Sequence, residues 1–170
     1  MSRTLTSGAS LIELLYCLAI FSALLLATPD FLTWLQRNQQ QALRNELLST
    51  IQAARAYSIL HNQSVEICGS SNGLDCDQSW SQGWLIRLPA DTTILRNTRL
   101  KGHHQLIWSR ASVLFQSDGM STLSNGRFIL CDESGSVAWQ LVLNRQGRIR
   151  SITGLEESQT PPPPCVTEKT

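Results

Sequence analysis

The order of apolar and polar residues predicts one long helix followed by several short strands. From Leu14 to Pro29 no residue is charged, and an apolar run of about 18 residues or more is typical of a helix that spans a membrane. Beyond Pro29, apolar residues recur at three- and four-residue spacing, which predicts an amphipathic helix. They are Leu43, Leu47, Ile51 and Ala54. We therefore expect one continuous helix from about residue 10 to about His61.

A cleaved secretory signal peptide is the alternative interpretation of the amino terminus, because a short leader with Arg3 precedes the apolar run. Three features favour a retained helix: the run is longer than a signal core, no Ala-x-Ala site follows it, and the carboxylate of Glu13 stands at its start. A cleaved signal would also have no reason to continue into an amphipathic helix.

After residue 62 the pattern changes to the alternation of apolar and polar residues that is typical of strands. The alternating segments are Ser64–Cys68, Trp84–Leu88, Arg127–Cys131, Val137–Leu143 and Arg148–Ile152. Clusters rich in Gly, Asn and Asp separate them and predict turns. The fold class expected from this order is α+β, with the long amino-terminal helix packed on a mainly antiparallel β-sheet domain.

Composition and charge then restrict the possible partners. A chain of 170 residues with 42% apolar and 16% charged residues fits one folded domain with an appendage and excludes a disordered chain. The net charge of +1 excludes a uniformly basic nucleic-acid coat. Residues 87–150, however, carry nine basic and four acidic side chains. A polyanion would therefore meet this half of the folded domain.

Four of the five cysteines lie outside the apolar run, and four cysteines allow three pairings. We expect Cys68 and Cys76 to close a polar loop and Cys131 and Cys165 to attach the tail to a strand. Disulfides fit the oxidising side of a membrane. Cys17 lies within the apolar run and is expected to be a buried thiol.

No motif predicts catalysis, a metal or a cofactor. The segment Gly69–Gly73 matches Gly-x-Ser-x-Gly, but a nucleophile elbow needs a helix behind it, and a disulfide-closed loop is expected there. His103 and His104 could join the cysteines in a zinc site or act as acid–base groups. The cysteines and histidines lack the spacing of a zinc motif. No carboxylate or nucleophile stands beside the two histidines in the sequence to form an acid–base pair. We therefore expect no enzyme activity, no bound metal and no cofactor.

The segment Gly8–Leu15 resembles the amino-terminal motif of type IV prepilins and type II secretion pseudopilins. In that family a prepilin peptidase cleaves after the glycine and methylates the new amino terminus. The resemblance implies cleavage between Gly8 and Ala9, N-methylation of Ala9, and pairing of Glu13 with the amine of a neighbouring subunit during assembly. Ala9 replaces the phenylalanine that is usual at the first mature position, and Pro29 lies one residue before the usual proline.

The rest of the chain resembles GspH pseudopilins and the FimT/FimU minor pilins. The shared features are a helix end with Ala53-Ala54-Arg55, a strand ending in Cys68, Gly83-Trp84, and a terminal Gly147-Arg148-Ile149-Arg150. The resemblance implies a pilin-like lollipop, anchored in the inner membrane with its domain in the periplasm and later carried in a pilus at the cell surface. The implied organisation is a leader peptide (1–8), a transmembrane helix half (9–30), an amphipathic helix half (31–62), a GspH-like β domain (63–152) and a Pro-rich tail tethered by a disulfide (153–170).

The carboxy-terminal arginines give the last functional indication. Arg148 and Arg150 would lie on one face of a strand and could hold two phosphates, and Arg145 and Lys101 belong to the same basic half. In FimT-type pilins a similar Gly-Arg-x-Arg stretch binds DNA for uptake, so the resemblance implies sequence-independent contact with double-stranded DNA here. Exposed arginine pairs are also commonplace, and pseudopilins that do not bind DNA have similar endings.

Three functions therefore remain open. The chain could be a minor pilin that primes or caps a type IV pilus, a pilus-borne DNA receptor for natural transformation, or a GspH-type pseudopilin of a type II secretion system. We favour a minor pilin of the FimT/FimU type, with DNA binding as an added hypothesis. Its expected partners are other major and minor pilins, the prepilin peptidase and the inner membrane.

Overall fold

The computed structural model describes residues 10–102, 105–156 and 165, and of residues 25–30 it describes the backbone alone. The chain divides into two compact units between Gln41 and Ala42. One helix, α1 (Leu11–His61), contributes to both units, in agreement with the helix that the sequence predicts. The expected cleavage site at Gly8 and Ala9 lies outside the described residues.

In the first unit, nearly all described side chains of α1 are exposed, including large apolar ones such as Leu14, Phe21 and Trp34. Across the portion of the chain that is described, no helix combines the length and the apolar character that crossing a membrane requires. The transmembrane segment expected at residues 9–30 is described only in part and stays a prediction.

The second unit contains two four-stranded sheets. The strands are β1 (Val65–Gly69), β2 (Gly83–Arg87), β3 (Ile94–Arg99), β4 (Gln105–Trp108), β5 (Ser112–Phe115), β6 (Gly126–Cys131), β7 (Val137–Leu143) and β8 (Ile149–Thr153). The first sheet has the order β3-β2-β1-β5 and the second the order β4-β6-β7-β8. Every neighbouring pair is antiparallel. The α+β fold class expected from the sequence is confirmed.

The core of this unit joins the end of α1 to both sheets. The four helix residues that the spacing singles out, Leu43, Leu47, Ile51 and Ala54, are all buried. They form one cluster with buried side chains of both sheets, among them Ile67, Trp84, Phe115, Phe128 and Leu141. Burial of one such large apolar side chain contributes about 1.5–3 kcal/mol, so this cluster is what holds residues 42–61 against the sheets.

The sequence pattern missed three strands, and all three lie at sheet edges. Strands β3 and β5 are the edges of the first sheet, and β4 is an edge of the second. Strand β3 is mostly exposed, and β4 and β5 have only four residues each. An edge strand buries little side-chain surface, and four residues are too few for alternation to be visible.

Two disulfides close segments of the second unit. They join Cys68 to Cys76 and Cys131 to Cys165, with Cα atoms 5.5 Å apart in each, and these are the two expected pairings. Cys17 is a free, exposed thiol, and its expected burial within a membrane-embedded helix stays a prediction. The apolar residues around it on α1 are exposed as well, which leaves nothing in the described chain to cover it.

Candidate functional site

The arginine-rich segment after β7 is a tight turn, residues 144–148, which we call the cationic turn. The Asn144 Oδ1 atom accepts hydrogen bonds from the backbone N–H groups of Gln146 (3.0 Å) and Arg148 (2.9 Å). An Asn side chain that replaces a backbone acceptor in this way is typical of turns. Gly147 has a φ of +71°, a left-handed conformation that glycine adopts without the steric cost of a Cβ. The sequence therefore fixes the backbone from which Arg145 and Arg148 project.

Arg148 and Arg150, which the sequence placed on one strand face, have different contacts in the structure. Strand β8 begins at Ile149, so Arg148 belongs to the cationic turn, whereas Arg150 lies opposite Val142 of β7. Arg148 lines a groove of about 480 Å³ between the turn and α1. The groove is also lined by Ile51, Gln52, Arg55, Ala56, Ile59, Gly147 and Ile149.

Arg150 is paired with a carboxylate. Its Nη2 atom lies 2.9 Å and 3.3 Å from the two oxygens of Glu156, and Arg127 Nη2 lies 3.3 Å from Glu156 Oε2. The hydrogen bond from Arg150, with a further one from Arg127, outweighs partial desolvation and keeps the pKa of the Glu156 carboxyl below its ordinary value. One carboxylate thus shares its charge between two guanidinium groups.

Arg145 and Arg148, by contrast, are exposed, and within the described ranges neither forms a salt bridge. The backbone of the turn is docked from outside: the Arg145 carbonyl accepts a hydrogen bond of 2.9 Å from the N–H of Ser121. These two guanidinium groups therefore carry charge that a bound anion could neutralise.

Lys101 does not join this surface. Lys101 precedes β4. Strands β4 and β8 are the opposite edges of the second sheet, so three strand spacings, about 14 Å, separate these two strands. The three antiparallel pairings between them also make β4 and β8 run in opposite directions. The start of β4, four residues after Lys101, therefore lies at the other edge and the other end of the sheet from the start of β8, so the strand order does not bring Lys101 to Arg148.

Arg55 also belongs to the site, although the sequence singled it out only as part of the helix end Ala53-Ala54-Arg55. It lies on α1, and its Nε atom donates to the Gly119 carbonyl (3.0 Å) while Nη2 donates to the Gln146 carbonyl (3.1 Å). Only the three-dimensional fold brings α1, the loop at Gly119 and the cationic turn together, since the contacts span 64 and 91 residues. The signal in the sequence that could have found it is the helix end Ala53-Ala54-Arg55, one of the features on which the family resemblance rests.

The loop between Cys68 and Cys76, which contains the Gly-x-Ser-x-Gly match, is built around internal hydrogen bonds. Asn72 Oδ1 accepts from the N–H groups of Leu74 (2.8 Å) and Asp75 (2.9 Å). Asp77 accepts from the backbone and the hydroxyl of Ser71. The Ser71 hydroxyl, followed by the N–H of Ser79, lowers the pKa of Asp77 to about 2.

No helix follows this loop before the next strand, so the segment has the hydrogen bonds of a turn and lacks the frame of a nucleophile elbow. Among the residues described, no three His, Cys, Asp or Glu side chains come together in a group that could hold a metal ion. His103 and His104 lie outside the described residues.

Comparison with known proteins gives a family and a fold. Residues 43–147 match the family model described as GspH, type II transport protein. No curated protein matches the chain. Two crystal structures of the type IV minor pilin FimU from Pseudomonas aeruginosa strain PAO1 are similar. One is 21% identical, with a TM-score of 0.52 over 68% of this chain and 89% of that chain. The other is 20% identical, with a TM-score of 0.51 over 66% and 91%.

Proposed function

The chain belongs to the GspH family, and from this premise we propose that it is a minor pilin that enters or primes a type IV pilus. The observation that carries the proposal is the apolar surface of α1 in the first unit, where Leu14, Phe21 and Trp34 are 56%, 66% and 59% exposed. Apolar surface on this scale is typical of a segment that other molecules cover. Lipid before assembly and the helices of neighbouring pilins after it are the partners that the family membership favours.

The amino terminus supplies the assembly chemistry in this proposal. The prepilin peptidase cleaves between Gly8 and Ala9 and methylates Ala9, and residues 9–30 hold the chain in the inner membrane. A carboxylate in a bilayer costs about 2.5–3.5 kcal/mol or more without a partner. The free amine of a neighbouring subunit would offset that cost, so Glu13 sets the register in which subunits dock.

Filament incorporation tests this role. We expect Glu13→Gln to remain in the membrane fraction and to be lost from sheared filaments, measured by immunoblot with an antibody to the β domain. Glu46→Gln, which removes a carboxylate from the second unit of the chain, is the matched control and should be incorporated normally. Equal incorporation of Glu13→Gln and parent would contradict the docking role.

The choice between pilus and secretion filament needs a second readout. Deletion of the gene should reduce surface piliation while secreted proteins still leave the periplasm. Normal piliation together with secreted proteins trapped in the periplasm would instead assign the chain to a type II secretion system as a pseudopilin.

We further propose that the cationic turn contacts the phosphate backbone of double-stranded DNA and serves uptake in natural transformation. Support comes from Arg145 and Arg148, two exposed cations without a carboxylate partner in the described chain, held on a turn with a fixed backbone. The charge of Arg150 is shared with Glu156, so it contributes less. Such contacts are sequence-independent and weaken steeply with salt, and several copies on a pilus would supply avidity.

Fluorescence anisotropy with labelled double-stranded DNA tests the second role on the full chain in detergent micelles. We expect binding at 50 mM salt that falls towards 200 mM and is strongly reduced in Arg145→Gln/Arg148→Gln. Arg96→Gln/Arg110→Gln removes the same charge from other parts of the domain and should retain most of the affinity. No binding by the parent at low salt would end the DNA proposal and leave the assembly role intact.

A further inference from the structure

The three segments that meet at Arg55 are held by that side chain. Its two hydrogen bonds reach the loop at Gly119 and the cationic turn at Gln146, and these loops follow different strands, β5 and β7. A planar guanidinium presents several N–H donors in a fixed fork, so it can hold two carbonyl groups at a set distance from each other. Arg55 is therefore a clamp between α1 and the two loops.

The backbone at this junction is packed without room for a side chain. A Cβ added at Gly147 would lie 3.0 Å from Arg55 Nε and closer still to the Gly119 carbonyl oxygen. The same atom would approach Phe115 to 3.3 Å. Gly147, the glycine of the Gly-Arg-x-Arg segment, is thus required because the turn is pressed against Arg55 and the loop at Gly119.

Arg55 donates its hydrogen bonds to uncharged acceptors. Its two hydrogen-bond partners at this junction, Gly119 and Gln146, accept through their backbone carbonyls, and among the described residues Arg55 forms no salt bridge. Because the side chain is partly buried and both its Nε and Nη2 are engaged, it is better suited to orient Arg145 and Arg148 than to bind a phosphate itself.

We propose that Arg55 is a positioning residue of the anion-binding surface: it fixes the cationic turn on α1 and thereby sets the direction in which Arg145 and Arg148 project towards a phosphodiester backbone. The DNA part of this statement rests on the proposed function. The clamp itself does not, so the two are measured separately.

Hydrogen exchange tests the clamp on the full chain in micelles. Arg55→Lys keeps the positive charge and loses the fork. Loss of one hydrogen bond costs about 0.5–1.5 kcal/mol, so amide exchange in residues 144–148 should accelerate roughly threefold to tenfold. A peptide from the loop between Cys68 and Cys76 should exchange at the parent rate, which excludes general loosening. Unchanged exchange in residues 144–148 would overturn the proposal.

A double-mutant cycle tests the functional part with the same DNA. In the parent background, Arg55→Lys should weaken binding roughly threefold to tenfold, whereas in Arg145→Gln/Arg148→Gln it should have almost no further effect, because interacting positions are non-additive. Additive losses would mean that Arg55 acts independently of the turn and would overturn its positioning role. If the parent binds no DNA, the proposed DNA function and the DNA part of this inference both fail, and the exchange measurement alone decides whether Arg55 holds the turn.

Discussion

Two polar segments of the β domain, the loop between Cys68 and Cys76 and the cationic turn, differ in what closes them and in what their charged side chains contact. The loop is closed covalently, Asn72 accepts from the loop's own N–H groups, and Arg99 of β3 donates to the Asn72 carbonyl from outside. The turn is closed by hydrogen bonds between Asn144 and residues 146–148 and is held from outside by Arg55 and Ser121. The carboxylates at the loop accept hydrogen bonds from neighbouring groups. Arg145 and Arg148 of the turn form no salt bridge within the described residues, so their charges stay available to a ligand.

The largest effect on stability is expected at Gly147, where the backbone of the cationic turn is in close contact with its neighbours. In Gly147→Ala, a residue with a Cβ would have to adopt a positive φ, and that Cβ would clash with its neighbours. The substitution should therefore lower the free energy of unfolding by roughly 2–4 kcal/mol. Gly154→Ala is the matched control, because Gly154 has nearly the same φ, +70°, but a Cβ there would approach no atom closer than the Val137 carbonyl oxygen at 4.0 Å. It should cost roughly 1–2 kcal/mol. Equal losses in urea unfolding would show that close packing adds nothing at Gly147.

The second-largest effect on stability is expected from removal of the disulfide that closes the loop. Cys68→Ser/Cys76→Ser removes a link across 8 residues and should lower the free energy of unfolding by about 2.5 kcal/mol. The cationic turn should keep its parent rate of hydrogen exchange, because it shares no bond with the loop. Cys17→Ser, which removes a free thiol, should leave stability unchanged. Accelerated exchange in the turn would contradict the independence of the two segments.

A smaller effect on stability is expected from the protonation of Asp77, which directly follows the loop. Folding lowers the pKa of Asp77 from 3.8 to about 2, so the unfolded chain binds the proton more readily and the Asp77 contribution is lost as pH falls from about 4 towards 2. The difference in unfolding free energy between parent and Asp77→Asn should shrink over that range. Ser71→Ala, which removes the main donor, should flatten the pH profile in the same way. Identical pH profiles for parent and both variants would contradict this assignment.

The smallest effect is expected next to the turn, at Glu156. Its pKa is lowered chiefly by the hydrogen bond from Arg150, so its contribution to stability is present above its ordinary pKa and is lost as pH falls through the lower folded value. Exposed ion pairs contribute little, so Glu156→Gln should change stability only slightly. Removing the carboxylate should, however, raise DNA affinity by about twofold to threefold at low salt. Unchanged affinity would show that Arg150 is not close enough to DNA to matter.

The sequence predicted what depends on local patterns and missed what depends on the assembled sheets. The extent of α1 and its buried face follow from the spacing of Leu47 and Ile51, and the five strands with clear alternation were found. Arg148 was expected within a strand beside Arg150, but the turn at Asn144 extends to Arg148, and β8 begins only at Ile149. Arg55 and Lys101 needed the strand order, which the pattern does not contain.

The strand order also has a consequence for how the chain is made. Strand β1 pairs with its neighbour β2 and with β5, whose Phe115 lies opposite Val65. At synthesis rates of about 5–20 residues per second, the first sheet stays incomplete for several seconds after β1 appears. During that interval the apolar face of α1 around Leu47 has no complete sheet to cover it. The first sheet can therefore cover this face of α1 completely only after Phe115 has been synthesised.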